Sequence, residues 1–365
     1  MSFSQTKKFN NYLGSVFLAW GFSRLLVFAT MWLTDLFASN EASEFTSQGF
    51  RIWDAGWYQQ LMSVGYNSLG EEAFRFFPGF VLLGGLVKPL IGGNVVWASV
   101  LIANFFSLIM FVTLYRLVIV ENGSPNLAKR TVWILALFPT AFVLVWGYAE
   151  SLFITLTLIV FLALKNKNWK MVTLFTCLAG LTRPTGALLA VAVATAPGFS
   201  VIRTNFKTRF KCLAACLGGP LGVFVFLLWS NSQNTENWVP FTVQEELRGG
   251  FVDPVRRAIT GVKEIIDLDP DGLHVLVAFG LSLLLVVIWR NLPRHYFFYA
   301  LLSLIVATSA ENLNSLERYA MTAFPFVMAL AIFSERKHIQ KMIYPISAIC
   351  LVALTAASFM GKYVP

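Results

Sequence analysis

Charged residues are scarce in this sequence: they make up 13% of its 365 residues, whereas 57% are hydrophobic. A soluble domain of this length rarely carries so little charge. Cysteine and histidine are also scarce, with four and three copies. The cysteines lie in or beside apolar stretches and the histidines lie far apart, so neither a disulfide framework nor a metal site is indicated. Tandem repeats, low-complexity stretches and a soluble domain are not seen either.

Long, continuous apolar runs separated by short polar breaks fill the sequence instead. A helix rising about 1.5 Å per residue needs such runs to cross a hydrocarbon layer of about 30 Å. Transmembrane strands would show alternating segments of about ten residues. The first run, residues 12–37, is too long for the apolar part of a signal peptide, so we expect it to stay as a membrane anchor. The sequence therefore predicts an all-α integral membrane protein, with residues 1–365 forming one polytopic domain.

Basic residues, which give the net charge of +9, fall in small clusters between the apolar runs. Such clusters are typical of cytoplasmic loops. Placing all of them inside predicts a cytoplasmic N-terminus, amphipathic external loops at residues 38–75 and 231–272, and about eleven crossings. The crossings are expected at residues 12–37, 95–119, 131–147, 149–164, two halves of 171–200, 212–230, 273–289, 295–309, 319–334 and 342–361. Residues 76–90 are too short to fit this path as a crossing and are expected to form a re-entrant or interfacial segment.

External segments mix acidic, basic and aromatic residues, whereas the cytoplasmic loops are almost purely basic. A reaction site is therefore expected on the outer side. The densest segment contains Trp53-Asp54-Ala55-Gly56-Trp57-Tyr58. In a helix, Asp54 would share a face with Trp57 and Tyr58, because residues three and four apart are neighbours. The alternative is that the tryptophans are interfacial belt residues and that Asp54 only caps a helix.

Other external turns each offer a polar group: Glu150, Arg183, Gln244 and Arg318. Arg183 is followed by Pro184, which is expected to break the helix there. Arginine binds phosphate bidentately and suits sites where water is scarce. A carboxylate base with phosphate-binding cations predicts group transfer from a phosphate leaving group. For Glu150 a second interpretation stays open, that of a helix-start residue favoured by the helix dipole.

Five blocks of the chain carry a family resemblance. They are Trp53-Asp54-Ala55-Gly56-Trp57-Tyr58 with Gly65-Tyr66, Phe76-Phe77-Pro78, Phe138-Pro139-Thr140-Ala141-Phe142 running to Tyr148-Ala149-Glu150-Ser151-Leu152-Phe153, Thr182-Arg183-Pro184-Thr185-Gly186, and Arg318-Tyr319 followed by Phe324-Pro325. In these blocks the sequence resembles the PIG-V/Gpi18-like mannosyltransferases, a branch of the GT-C glycosyltransferases that use polyprenyl-phosphate sugars. The first block is fairly specific, and the five occur in family order over most of the chain.

The resemblance implies a GT-C-like fold with its catalytic aspartate in the first external loop, which falls on Asp54. It implies inverting transfer of mannose from polyprenyl-phosphate mannose to a lipid-linked or glycan acceptor at the outer face of the cell membrane. Donor phosphate or sugar is expected to contact Arg183, Arg318, Trp57, Tyr58, Glu150 and Gln244. We expect no cofactor, no nucleic acid and no metal, since one acid in a loop offers too few ligands for a cage. The lack of long external insertions predicts a prokaryotic relative.

Two other functions stay open at this stage. A transporter would show paired broken helices in matching halves and ionisable residues at mid-bilayer, whereas here the ionisable residues gather outside. A non-catalytic subunit of a glycosyltransferase complex would be expected to lose Asp54 or the arginines around it.

Overall fold

A computed structural model describes residues 3–38, 40–199, 205–233, 238–267 and 271–365, and these form an all-helical protein. Within these ranges the chain has no β-strand, and an isolated antiparallel bridge joins Phe251 to Ala310. The α-helices, some of them joined by short 3₁₀ turns, are α1 (Phe3–Leu36), α2 (Asn40–Thr46), α3 (Trp53–Val64), α4 (Pro78–Val87), α5 (Val95–Asn122), α6 (Pro125–Ala136), α7 (Glu150–Lys165), α8 (Trp169–Thr182), α9 (Leu189–Ala194), α10 (Phe206–Gln233), α11 (Val239–Arg248), α12 (Pro254–Ile266), α13 (Asp271–Asn291), α14 (Arg294–Thr308), α15 (Leu316–Thr322), α16 (Pro325–Phe333) and α17 (Lys337–Phe359).

Five helical segments in the described ranges are long and apolar enough to cross a membrane: Leu13–Leu36, Val95–Asn122, Phe206–Gln233, Gly272–Asn291 and Lys337–Phe359. Helices α15 and α16 pass the same test only as a pair, and they are bent by 88° at the break between them. The predicted class of all-α membrane protein is confirmed.

Fewer helices reach full span length than the path of about eleven crossings requires. The runs predicted at residues 131–147, 149–164 and 295–309 correspond to α6, α7 and α14, which have 12, 16 and 15 residues. Helix α6 ends at Ala136, just before Phe138 and Pro139, because a residue before proline disfavours the helical conformation. Apolar composition extends beyond the helix ends here, so the sequence overstates helix length.

The segment at residues 76–90 forms α4 and a short 3₁₀ turn, Lys88–Ile91. Helix α4 has ten residues, about 15 Å at 1.5 Å per residue, which is half the hydrocarbon thickness. It is too short to cross alone. Its placement as a re-entrant or interfacial segment stays a prediction.

The predicted break at Arg183 is confirmed. Helix α8 ends at Thr182, and Arg183 is extended, with φ −152° and ψ 147°. Pro184 enforces this conformation, because its ring clashes with a helical residue before it. The chain then makes a 3₁₀ turn, Pro184–Leu188, before α9 begins. The arginine side chain therefore leaves the helix axis at the end of α8.

Glycines allow α8, the Pro184–Leu188 turn and α10 to approach closely. A Cβ on Gly219 would overlap the carbonyl oxygen of Gly186, and a Cβ on Gly180 would overlap that of Gly219. A Cβ on Gly222 would overlap the carbonyl oxygen of Cys177. Small residues let helix backbones pack at short distance in membrane proteins. We call this close packing of α8, the Pro184–Leu188 turn and α10 the glycine seam. It fixes the position of the turn that follows Arg183.

Gly219→Ala is expected to lower the free energy of unfolding by about 1–3 kcal/mol, because the added methyl group overpacks the seam. Gly280→Ala in α13 is the matched control, since a Cβ there meets nothing within 4 Å. Thermal unfolding in one detergent compares the two variants. Equal melting temperatures for both would contradict the close approach of α8 and α10.

Helix α7 is the central helix, with 13 of its 16 residues buried. It packs against α5, α8 and α15. Its first residue, Glu150, is 1% exposed. The start of α7 therefore places a buried carboxylate next to the last residues of α8 and the first residues of α15.

The two loops predicted to be external fold into short helices that meet. Residues 38–75 contain α2, α3 and short 3₁₀ turns, and residues 231–272 contain α11 and α12, with 234–237 and 268–270 outside the described residues. Helix α11 contacts the turn Glu71–Arg75 of the first loop. Their junction lies over the site described next.

Candidate active site

A cavity of about 380 Å³ lies where α3, α11, the end of α8 and the start of α15 converge. Six of the seven predicted site residues line it, and Glu150 lies beneath its floor. The lining residues are Trp53, Asp54, Trp57, Tyr58, Arg75, Phe76, Phe77, Thr182, Arg183, Pro184, Gln244, Leu247, Arg248, Asn312, Asn314, Ser315, Arg318, Tyr319, Val364 and Pro365. The structure thus brings together residues that are widely separated in sequence.

Asp54 is the second residue of α3, and its side chain is 25% exposed to the cavity. One carboxylate oxygen accepts a 2.5 Å hydrogen bond from Nη1 of Arg318. Burial raises the pKa of Asp54, but the charges of Arg318 and Arg75 and the hydrogen bond outweigh burial, so the pKa lies below its ordinary value. Asp54 is therefore an ionised carboxylate at neutral pH.

The residue before Asp54 is held in an uncommon conformation. Trp53 has a φ of +53°, a left-handed value that bulky residues rarely adopt. Its indole Nε1 donates a 2.9 Å hydrogen bond to the carbonyl oxygen of Ser358, near the end of α17. The C-terminal helix thus helps to fix the direction in which α3 begins, and with it the position of Asp54.

Glu150 links two arginines below the cavity. Its Oε1 accepts a hydrogen bond from Nη1 of Arg183 and lies 3.5 Å from Nη1 of Arg318. Acidic and basic groups therefore alternate in the order Asp54, Arg318, Glu150, Arg183. Glu150 does begin a helix, as the alternative interpretation held, but it also forms ion pairs that a solvated helix start would not.

Two further arginines line the cavity without an ion pair to any described residue. The guanidinium carbon Cζ of Arg75 lies over the ring of Phe76, 4.7 Å from the ring centroid. Arg248 donates from Nη2 to the carbonyl oxygens of Asn312 (3.3 Å) and Asn314 (2.9 Å). Backbone carbonyls satisfy a guanidinium donor but do not neutralise its charge.

Positive charge exceeds negative charge around this cavity. Among the described side chains, four guanidinium groups face two carboxylates, those of Asp54 and Glu150, which leaves an excess of two positive side-chain charges. The Nε atoms of Arg75, Arg183 and Arg318 are also buried without a hydrogen-bond partner in the described chain. Buried charged donors without acceptors are costly. The arrangement suits an anion with several oxygen acceptors, such as a phosphate.

Aromatic rings form one wall of the cavity. Trp57 stacks on Phe76 with ring centroids 5.8 Å apart, and Tyr58 meets the same ring edge-on at 5.0 Å. The predicted face of α3 with Asp54, Trp57 and Tyr58 is thus present, and Gln244 of α11 faces the same space. A carboxylate, an amide and aromatic surfaces therefore surround a single volume.

Sequence analysis missed Arg75, Arg248, Asn312 and Asn314. Arg75 directly precedes the block Phe76-Phe77-Pro78, so its position next to a family-like motif was a usable signal. Arg248 lies among mixed charges of the second loop, and nothing in the sequence relates it to Asp54. The described residues hold no group of three or more His, Cys, Asp or Glu that could bind a metal ion.

Fold and cavity together define an all-helical membrane protein with an arginine-rich, aromatic-lined cavity. No family model matches the chain, and comparison with curated proteins gives no match. Among solved structures it is similar to an oligosaccharyltransferase of Archaeoglobus fulgidus in complex with zinc and sulfate, at a TM-score of 0.48 and 11% identity over 95% of this chain and 53% of that one. A second structure of that enzyme, tethered to an acceptor peptide with the NVT sequon, gives a TM-score of 0.43 and 11% identity over 94% and 55%. The chain spans about half the length of that protein.

Proposed function

We propose that this protein is an inverting glycosyltransferase that moves mannose from polyprenyl-phosphate mannose to an acceptor hydroxyl on a lipid-linked or glycan substrate. The observation that carries the proposal is the excess of two positive side-chain charges around Asp54 in an aromatic-lined cavity. A phosphate leaving group matches that excess, and the ionised carboxylate supplies a base beside it.

Arg183, Arg318, Arg75 and Arg248 bind the donor phosphate in this proposal. Their charges are fixed by folding before the donor arrives, so little reorganisation is needed as negative charge grows on the departing phosphate. The donor is a phosphodiester with one negative charge, and the phosphate gains a second when the sugar leaves. The excess of two positive side-chain charges matches that final charge. Stabilisation is therefore larger in the transition state than in the ground state, as catalysis requires.

Asp54 acts as the general base. It takes the proton of the acceptor hydroxyl while the hydroxyl oxygen bonds to the anomeric carbon of mannose. The bond from that carbon to the phosphate oxygen breaks on the opposite face, and its electron pair leaves with the phosphate. The lowered pKa keeps Asp54 ionised, so it can accept a proton. Proton transfer to it becomes favourable as the hydroxyl oxygen gains positive charge on bonding to the anomeric carbon. Products are the mannosylated acceptor and polyprenyl phosphate.

The sugar lies against Trp57 and Tyr58, with Gln244 as a hydrogen-bond partner for its hydroxyl groups. Aromatic rings contact the apolar face of a hexose and exclude water, and the amide both donates and accepts. The positive-inside pattern supports a cytoplasmic N-terminus and a cavity that opens on the outer face of the cell membrane.

Arg75→Gln tests the phosphate-binding role, because Arg75 has no ion pair to a described residue whose loss would disturb the fold. Binding of a short-chain polyprenyl phosphate is expected to weaken about tenfold, the size of one lost charge-assisted hydrogen bond. Thermal shift in detergent measures binding, with the matching polyprenol as ligand control. Arg290→Gln, at the exposed end of α13, is the matched variant and should bind as wild type does. Equal binding of the phosphate and the alcohol by wild type would contradict the proposal.

A further inference from the structure

A second, mostly apolar cavity of about 310 Å³ lies between α12, α13 and α14, and we call it the α12–α14 groove. Its lining residues are Pro254, Val255, Arg257, Ala258, Val275, Ala278, Phe279, Ser282, Leu285, Leu301, Leu304, Ile305, Thr308 and Leu313. Arg257 is the one charged residue among them. The groove is separate from the arginine-rich cavity and takes no part in the proposed transfer.

The depth of the groove in the membrane follows from the helices that form it. Helix α13 contains a candidate membrane span, Gly272–Asn291, and lines the groove from Val275 to Leu285, past the middle of that span. Helix α12 exposes Val255, Ile259, Val262 and Ile266, which lie on one helix face because they are spaced by three or four residues. A helix with such an apolar face lies in the plane of the interface. The α12 end of the groove is therefore expected where headgroups meet hydrocarbon, and its other end extends toward the middle of the candidate span.

Arg257 lines the groove and is only 4% exposed. Its Nε donates to the carbonyl oxygen of Glu311 at 2.9 Å, and its Nη1 donates to both carboxylate oxygens of Glu264 at 3.0 Å. Its Nη2 is buried and makes no hydrogen bond within the described part of the chain. A buried guanidinium donor requires an acceptor. The groove thus combines an apolar channel with one unused cationic donor.

We propose that the α12–α14 groove binds a glycerophospholipid of the bilayer, with one acyl chain in the groove and a phosphate oxygen accepting from Nη2 of Arg257. The apolar lining matches the chain, and the buried donor matches the phosphate. Exposed Arg256 and Lys263 on the same helix add attraction for the headgroup layer. A glycerophospholipid is favoured over the polyprenyl donor because the arginine-rich cavity already provides the phosphate site for the donor.

The bound lipid supports the wall between the two cavities. Leu313 lines the groove, whereas its neighbours Asn312 and Asn314 line the arginine-rich cavity. Arg257 donates to the carbonyl oxygen of Glu311, and Arg248 donates to those of Asn312 and Asn314. A chain packed against Leu313 therefore steadies the backbone that holds Arg248. The lipid acts here as a structural ligand.

Native mass spectrometry of the delipidated protein tests the proposal, with dioleoyl phosphatidylglycerol and dioleoylglycerol as probes. Wild type is expected to bind the phospholipid about tenfold more tightly than the diacylglycerol, because only the phospholipid offers Arg257 an anionic phosphate oxygen, and charge-assisted hydrogen bonds are the stronger ones. Ala278→Phe fills the groove without touching a charge and should reduce phospholipid binding about tenfold. Leu283→Phe, at a 72% exposed position of α13 outside the groove, should bind as wild type does.

Arg257→Met provides a second readout, since it should lower phospholipid binding to the diacylglycerol level. Equal binding by Ala278→Phe and Leu283→Phe would show general annular lipid and overturn the proposal. Displacement of the phospholipid by stoichiometric polyprenyl phosphate would also overturn it, because the groove would then belong to the donor. None of these measurements requires sugar transfer, so they remain informative if the proposed activity fails.

Discussion

Asp54→Asn is expected to reduce mannose transfer by about 10²–10⁴-fold, the usual contribution of a positioned general base. Asparagine keeps the shape of the side chain but cannot accept the proton of the acceptor hydroxyl. Donor binding should persist, because the substitution removes a negative charge and leaves the four arginines in place. Transfer under single-turnover conditions, with binding of polyprenyl phosphate measured in parallel, separates the two effects.

The pH dependence of the wild type provides a control for that prediction. The pKa of Asp54 is lower in the folded protein than in the unfolded chain, where it is about 3.9. Ionised Asp54 therefore stabilises the folded protein at pH values above 3.9, and this stabilisation is lost as the pH falls through the folded-state pKa. Between pH 7 and pH 5 Asp54 stays ionised, so protonation of Asp54 should not lower the transfer rate in this range. Undiminished transfer by the folded Asp54→Asn variant would remove Asp54 from the mechanism.

Glu150→Gln is expected to lower the free energy of unfolding by about 3–5 kcal/mol, the range for breaking a buried ion pair. The glutamate is the only carboxylate described between Arg183 and Arg318, and its loss leaves the buried Arg183 without a described ion pair and Arg318 with Asp54 alone. An added anion should offset much of this loss. Polyprenyl phosphate is therefore expected to raise the melting temperature of the variant more than that of wild type.

Glu121→Gln is the matched control, because Glu121 pairs with a single, partly exposed lysine, Lys165, away from the cavity. The Glu121 side chain is 4% exposed, but Lys165 is 44% exposed, so the substitution leaves a cation that water can solvate. Its melting temperature should therefore fall less than that of Glu150→Gln and should not respond to the ligand. A loss in Glu150→Gln no larger than in Glu121→Gln would contradict the charge arrangement described for the cavity floor.

Local chemistry explains which features could be predicted from sequence. The helix with Asp54, Trp57 and Tyr58 on one face follows from their spacing, and the break after α8 follows from Pro184. The membrane class follows from composition alone. Each of these depends on residues that are close in the chain, so no tertiary information was needed.

Tertiary packing determines what the sequence could not show. Arg75 and Arg248 are separated by nearly half the chain and reach one cavity only because α11 packs on the first loop. The position of Glu150 between two arginines depends on how α7, α8 and α15 meet. The sequence does not show where helices end either. Apolar residues continue after α6 ends, and there they form a 3₁₀ turn, Ala141–Leu144. Hydropathy alone therefore overestimates the length of such helices.

Incubation of the purified protein with polyprenyl-phosphate mannose, labelled in the sugar, tests the central claim most directly. The assay uses liposomes that contain either membrane lipid extract or glycan acceptors, and it follows both polyprenyl phosphate and labelled product. The proposed function predicts release of polyprenyl phosphate and recovery of mannose on an acceptor, with an anomeric configuration opposite to that of the donor. Intact donor with every acceptor, from protein that still binds polyprenyl phosphate, would contradict a catalytic role, and a retained configuration would contradict direct displacement with Asp54 as base.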